Sequence, residues 1–197
     1  METLNENYWT QRYQLGNTGW DTGSITPPLK IYFDQLYDKN IKILIPGSGN
    51  SYEAAYLFEQ GFSQVHIVDI SKHPLEKFQQ QYPDFPPEQM LHQNFFTLDS
   101  TFDLIIEQTF FCALNPDLRP DYAKKMYELL KPSGRLVGLL FDAPLYQDHP
   151  PFGGNLQEYR QYFKPYFYFH TFESAYNSIS PRLGNELFIN LKRKEQA

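Results

Sequence analysis

Along this chain, runs that are apolar throughout alternate with stretches in which apolar residues recur every three or four positions. The segments 41–46 (IKILIP), 64–70 (QVHIVDI) and 102–108 (FDLIIEQ) are nearly continuous in apolar or β-branched residues, as strands buried on both faces of a sheet are. A weaker strand pattern covers 90–96 (MLHQNFF), and further strands are predicted over 135–142, 166–172 and 186–193. Between them, 51–61 (SYEAAYLFEQG) has helical spacing and stops at Gly61, a residue that closes helices because it adopts the left-handed conformation without strain. The segment 73–82 (HPLEKFQQQY) is a helix with proline near its start. Residues 119–134 carry Tyr122, Met126, Leu129 and Leu130 on one face and predict an amphipathic helix stopped by Pro-Ser-Gly. A last helix is expected over 155–163, and the proline-rich patches 82–89 and 142–154 are loops.

This order of elements implies an α/β fold, a Rossmann-like doubly wound domain. Its sheet has seven strands and is mostly parallel, since parallel neighbours need crossover helices. One strand, the last, inserts antiparallel because only the short segment 173–185 precedes it. With no internal repeat or linker, the expectation is a single domain, 1–197. Ligands of such sheets bind beyond the carboxyl ends of the strands, which directs attention to the loops after 46, 69, 94 and 107.

Composition narrows the partners. The net charge of -6, without a block of like charges, argues against nucleic acid, which needs a basic footprint. No stretch approaches the length of apolar chain needed to cross a bilayer, and METLNENYWTQRY is not a signal peptide. One cysteine, Cys112, excludes an internal disulfide framework and fits a reducing compartment, so a cytoplasmic location is expected. It lies in the apolar run TFFCAL and is expected to be a buried, inert thiol. The five histidines fall in no metal-ligand spacing, and no metal is expected. The aromatic content, 17%, supplies core volume first and in surplus can line a pocket for a flat ring or a cation.

The sharpest local signal is the glycine loop in ILIPGSGNSYEAAYL. In a dinucleotide fingerprint the third glycine allows close helix–strand packing; here Tyr52 holds that position, which argues against a pyrophosphate turn and a nicotinamide-dependent oxidoreductase. The loop also lacks the lysine of a phosphate-binding P-loop. Gly47 and Gly49 therefore suit a ligand that approaches closely without a phosphate, such as S-adenosylmethionine. Asp69, 20 residues beyond Gly49, ends the second strand where an acidic residue can accept both ribose hydroxyls. It can equally cap the next helix.

Taken in order, NYWTQRYQLGNTGWDTG, ILIPGSGNSYEAAYL, VDIS, NFFTL, FDLIIEQTFFCALNPDLRPDYAKKMYELLKPSGRL and PPFGG resemble the thiopurine S-methyltransferase family, more its plant-type thiol/halide branch than the vertebrate drug-metabolising enzyme. The block from Phe102 to Gly134 is the most specific part. The resemblance implies a class I methyltransferase fold and a cofactor, S-adenosylmethionine, from which a methyl group passes to a small soft nucleophile such as a thiol, sulfide, halide or thiopurine. It implies that residues 1–30 cover the cofactor, with Trp9, Tyr13 and Trp20 around it, Gly47 and Gly49 beneath its methionine part, Asp69 on the ribose, and Asn94 with Phe95 at the adenine. Gln108 matches a position that contacts cofactor or acceptor. The chain departs from the family's pattern at Glu107, where Asp is usual, and at Gln108, where Arg or Tyr is usual. A non-catalytic cofactor-binding protein is the alternative this departure keeps open.

Methyl transfer from a sulfonium is an in-line displacement that needs positioning and exclusion of water more than a strong base. His149, in the acceptor-side loop QDHPPFGG, is the candidate proton acceptor beside Gln108. Arg119 is expected to pair with Asp117 or Asp121 near the helix start. The expected partner is a small-molecule acceptor, and the expected assembly a monomer.

Overall fold

The computed structural model describes residues 3–195; residues 1, 2, 196 and 197, which belong to the expected domain 1–197 and, for the first two, to the expected cover 1–30, lie outside it. The strands are β1 (Ile43–Pro46), β2 (Val65–Asp69), β3 (Met90–His92), β4 (Phe102–Gln108), β5 (Leu130–Phe141), β6 (Phe167–Ser174) and β7 (Glu186–Arg193). They form one sheet in the order β3-β2-β1-β4-β5-β7-β6. Pairing is parallel from β3 through β5, and β7 runs antiparallel to both β5 and β6. The expected seven-stranded sheet with one reversed strand is what the chain builds.

Both faces are covered. On one, α2 (Pro27–Phe33), α3 (Tyr52–Glu59) and α4 (Lys72–Gln81) bury Leu29, Phe33, Leu57 and Phe78 against Ile43, Ile45, Leu104 and Ile106. On the other, α5 (Arg119–Leu129) and α6 (Leu156–Phe163) bury Tyr122, Met126, Tyr159 and Phe163 against Leu44, Ile105 and Leu136. Successive residues of β1 and β4 thus enter opposite cores, because side chains alternate across a strand. This is why their sequences are apolar without interruption. The chain leaves β1 toward β2 and β3 on one side and returns to β4 and β5 on the other, so a crevice opens between the carboxyl ends of β1 and β4.

Two boundaries differ from the sequence expectation, and a helix is added at the N-terminal end. The helix over 119–134 ends at Leu129, and 130–134 already belongs to β5. Pro132 cannot extend a helix, and Ser133 takes a φ of 65°. The strand over 90–96 stops at His92. Asn94 ends it by accepting the Phe96 N–H at 2.9 Å with its side chain, which starts a short 3₁₀ turn. The N-terminal region contains α1 (Glu6–Gln14), which has no buried residue and so lacks the apolar stripe that marks a core helix.

Candidate cofactor and acceptor site

β1 delivers the chain into the loop Gly47–Ser51, whose residues Gly47, Gly49 and Ser51 all have positive φ. The first glycine is required twice. Its φ is 60°, and a Cβ placed there would lie 2.3 Å from Cδ2 of Phe110, closer than any side chain tolerates. A Cβ on Gly49 would meet the Tyr13 hydroxyl at 3.6 Å, an ordinary contact, so φ alone demands glycine there. The tight turn brings the Gly49 N–H to Oδ2 of Asp69 at 3.4 Å, while Oδ1 of Asp69 accepts the Ser71 N–H at 2.8 Å. The aspartate thus holds Ser71, the residue that precedes α4, without capping the helix, and still faces the crevice. Burial pushes its pKa up to about 6 against these bonds, which favour the charged form.

β4 splits its last two residues between core and crevice. Glu107 points inward, wholly buried, accepting the N–H groups of Phe110 and Phe111 at 2.7 and 2.9 Å and the hydroxyl of Tyr122. Burial raises its pKa to about 7. It shapes the turn after β4 and does not line the crevice. Gln108, on the other face, does. Its Oε1 accepts from the Thr26 hydroxyl at 3.3 Å, and its buried Nε2 finds no partner among the described residues. Thr109 follows with a φ of 61°, a conformation that costs a β-branched residue energy and turns the chain sharply over the crevice.

The crevice is a cavity of about 220 Å³. Trp9, Tyr13, Trp20, Gly47, Gly49, Asp69, Asn94, Phe95 and Gln108 all line it, so the structure brings the nine expected cofactor contacts to one place. The cover is aromatic. Trp20 packs edge-on against Trp9 at 5.7 Å and against Tyr13 at 5.9 Å between ring centroids. Burial raises the pKa of the Tyr13 phenol, helped by Asp69 and Asp21. The cover is tied to the sheet by Thr10 to Ser71 at 2.8 Å, Glu6 to His92 at 2.9 Å and Asp21 to Asn50 at 2.6 Å.

His149 is not brought in. Its imidazole is half-exposed, stacked on Tyr146 with its Nδ1 2.9 Å from the Pro150 carbonyl oxygen, and only the following Pro150 and Pro151 reach the cavity. Cys112 does touch the cavity but is buried, which pushes its thiol pKa up, away from a nucleophile's range. Arg119 is a correction: it pairs with neither Asp117 nor Asp121. It is 2% exposed, donates to Glu158 and to the Gly153 carbonyl at 2.7 Å each, and lies over the rings of Phe111 and Tyr159. It clamps the PPFGG loop, whose first prolines line the cavity, onto α6.

Sequence reasoning passed over Ser48, Glu53 and Thr109. Ser48 Oγ is a buried hydroxyl in the lining with no partner among the described residues. Glu53 lies in the wall at 6% exposure, with its pKa raised by burial to about 7. A serine between two glycines and an acid in the first turn of a helix are too common to stand out in one sequence.

Comparison with known proteins completes the picture. The family model for thiopurine S-methyltransferase matches residues 4–190. Thiocyanate methyltransferase 1 of Brassica oleracea is 32% identical over 191 residues, spanning 94% of this chain and 84% of that protein. Probable thiol methyltransferase 2 of Arabidopsis thaliana is 32% identical over 164 residues, spanning 80% and 71%. Among solved structures, 1,6-didemethyltoxoflavin-N1-methyltransferase of Burkholderia thailandensis superposes with a TM-score of 0.75 over 96% of this chain and 87% of that one. At 17% identity that likeness concerns the fold alone.

Proposed function

The chain belongs to the thiopurine S-methyltransferase family and is an S-adenosylmethionine-dependent methyltransferase; from that premise we propose that the cavity under Trp9, Tyr13 and Trp20 seats the cofactor and that the acceptor is a thiol, sulfide, thiocyanate or halide. The observation that carries this reading is the lining itself. It has a glycine cradle that a Cβ would fill, a buried carboxylate at Asp69, and two buried polar atoms, Ser48 Oγ and Gln108 Nε2, that find no partner among the described residues. Buried polar groups left unpaired are costly, and a polar ligand with ribose and amino-acid groups supplies what they lack.

When bound, the cofactor supplies a methyl group made electrophilic by a sulfonium. The residues of this chain bind, orient and dry it. Asp69 accepts hydrogen bonds from the ribose hydroxyls, and Asn94 with Phe95 borders the adenine side. The rings of Trp9, Tyr13 and Trp20 offer their negative faces to the positive charge and exclude water. Gln108, whose Nε2 in the lining is unpaired among the described residues, would be free to donate to cofactor or acceptor.

The choice of a soft nucleophile is supported by how the titratable groups of the wall are used: Asp69 accepts the Gly49 and Ser71 N–H groups, Asp21 holds Asn50, and Glu53 is buried in the first turn of α3. Among the described residues the lining contains no histidine and no lysine. Its one guanidinium, Arg12, is committed to the Tyr8 hydroxyl at 2.8 Å. An alcohol or amine acceptor needs a general base aligned with it, whereas a thiolate or halide arrives ready to attack and needs only alignment. The similarity to proteins named thiocyanate and thiol methyltransferases points the same way. We also read residues 1–30 as the cover of a single domain, acting as a cytoplasmic monomer.

Release of S-adenosylhomocysteine, measured against iodide, hydrosulfide, thiocyanate, thiophenol and a thiopurine and, in parallel, against a catechol and an amine, tests the proposal. Turnover is expected with at least one soft anion and none with catechols or amines. Turnover confined to oxygen or nitrogen acceptors overturns it.

A further inference from the structure

One fastening of the cover comes from far outside the sequence motifs. Arg182 lies in the segment between β6 and β7 and is only 8% exposed. One guanidinium nitrogen donates to the backbone carbonyl of Trp20 at 2.6 Å, and the other to Glu186 Oε1 at 3.3 Å. Its plane sits 5.2 Å from the centre of the Phe141 ring. Glu186, on β7, is 3% exposed, and its Oε2 finds no partner among the described residues. Glu53 in the cavity wall also feels the positive charge of Arg182.

A buried charge is tolerated only when paired and hydrogen-bonded, and the planar fork of a guanidinium can satisfy two acceptors in fixed directions. Here those acceptors are a carboxylate rooted in the sheet and a carbonyl of the cover. Of the other ties between cover and sheet, Glu6–His92 and Asp21–Asn50 are solvent-exposed, where polar pairs contribute little. Thr10–Ser71 is a part-buried bond between two uncharged hydroxyls on α1 and the start of α4, so among the described residues Arg182 alone fastens Trp20 with a buried charge. Arg182 is not among the lining residues, so whatever it does for the site it does through Trp20.

We propose that Arg182 is a positioning residue for methyl transfer: anchored by Glu186, it holds the Trp20 backbone so that the aromatic cover is set over the methyl donor. The inference rests on the reading of the cavity as the cofactor's seat. With the carbonyl released, the Trp20 ring loses its fixed distance to Trp9 and Tyr13, and water gains access to the sulfonium. Binding of the cofactor then weakens more than binding of the acceptor, because the acceptor-side wall is held separately by Arg119.

The chain has 2 tryptophans, Trp9 and Trp20, and both are in the cover, so indole emission reports the cover and nothing else. Wild type, Arg182→Met, Arg182→Lys and Glu186→Gln are titrated with S-adenosylhomocysteine while emission is followed, and KM is measured for cofactor and acceptor separately. Arg182→Met is expected to raise the cofactor KM about tenfold or more with the acceptor KM within about twofold, to shift free-state emission to the red, and to lose the ligand-induced change. Arg182→Lys, which keeps the buried charge with one donor direction fewer, and Glu186→Gln, which keeps an acceptor for the guanidinium but removes its counter-charge, are both expected to fall between wild type and Arg182→Met. If wild type binds the ligand and folded Arg182→Met matches it in emission and cofactor KM, the inference is overturned alone. A loss shared equally by both KM values, with only a lowered melting temperature behind it, also overturns it. Should Arg182→Met fail to fold, an unchanged cofactor KM in Arg182→Lys overturns it instead. If wild type binds no S-adenosylhomocysteine, the cavity reading falls and takes the inference with it.

Discussion

The residues at the bottom of the cavity stand on the sheet, and those at its top stand on almost nothing. Ser51, Val68, Asp69 and Phe95 are all at most 6% exposed and are seated on the packed sheet, whereas α1 above them buries no residue at all. The floor is held by apolar burial, which is large and non-directional. The cover is held by a handful of side-chain hydrogen bonds, each worth about 1 kcal/mol or less net. The floor therefore keeps its shape whether or not a ligand is present, and the cover belongs to the low-stability end of the molecule, where opening and closing are cheap. For a reaction that needs alignment below and dryness above, the division is apt: the cover is the part of the wall that can move without unfolding the sheet.

Breaking the floor is expected to have the largest effect. Gly47→Ala puts a methyl group 2.3 Å from Phe110 Cδ2 at a φ of 60°; we expect a loss of about a hundredfold in S-adenosylhomocysteine affinity by calorimetry and of about 1–2 kcal/mol in unfolding free energy by denaturant titration. Breaking the cover comes next. Trp20→Ala is expected to weaken the same ligand by about tenfold to thirtyfold while the melting temperature moves by no more than about 4 °C. A collapse of the fold in this variant would show that the cover is structural and erase the contrast.

The floor also titrates. Burial raises Asp69 to about 6 and Glu53 and Glu107 to about 7, above the carboxylate range near 4 of an unfolded chain. Between those values the folded protein holds protons that the unfolded chain has released, so stability of the ligand-free protein is expected to fall as pH rises from about 4 to about 7 and to level off above. On the proposed seating, ribose hydroxyls would donate to the ionised form of Asp69, so S-adenosylhomocysteine affinity should run the other way, dropping as pH falls below about 6 by up to tenfold per unit. Asp69→Asn should flatten that dependence. Opposite slopes for stability and binding are the signature to look for in melting and calorimetric series. The smallest effect is assigned to His149→Ala. Its ring stacks on Tyr146 outside the cavity, and kcat and the pH–rate profile should stay within about twofold of wild type; a lost limb in that profile would return His149 to the site.

The floor was far more legible in the sequence than the cover. IKILIP, QVHIVDI and FDLIIEQ declare themselves as strands because both faces of each are buried, and that burial leaves no polar interruption. Gly47, Gly49 and Asp69 are legible because their spacing follows from the geometry of a strand–turn–helix unit. Trp9, Tyr13 and Trp20 carry no such periodicity, and they were reached through family resemblance. The loop QDHPPFGG points to His149 as a site residue, but its prolines line the cavity and the imidazole does not. Arg119 looked like a helix-start surface residue because local charges were in view and Glu158, on another helix, was not.

The order of elements, the sheet with its one reversed strand, the crevice at the ends of β1 and β4, and the kind of ligand a glycine cradle accepts are properties of local pattern. They follow from periodicity, burial and backbone freedom, which a sequence records residue by residue. Which of Glu107 and Gln108 faces the ligand, that Ser48 Oγ is left unpaired, and that Arg182 reaches the Trp20 carbonyl 162 residues away were decided only by the tertiary structure. Such contacts depend on the relative placement of elements, and a hydrogen bond or a buried charge leaves no periodic trace in the chain that makes it.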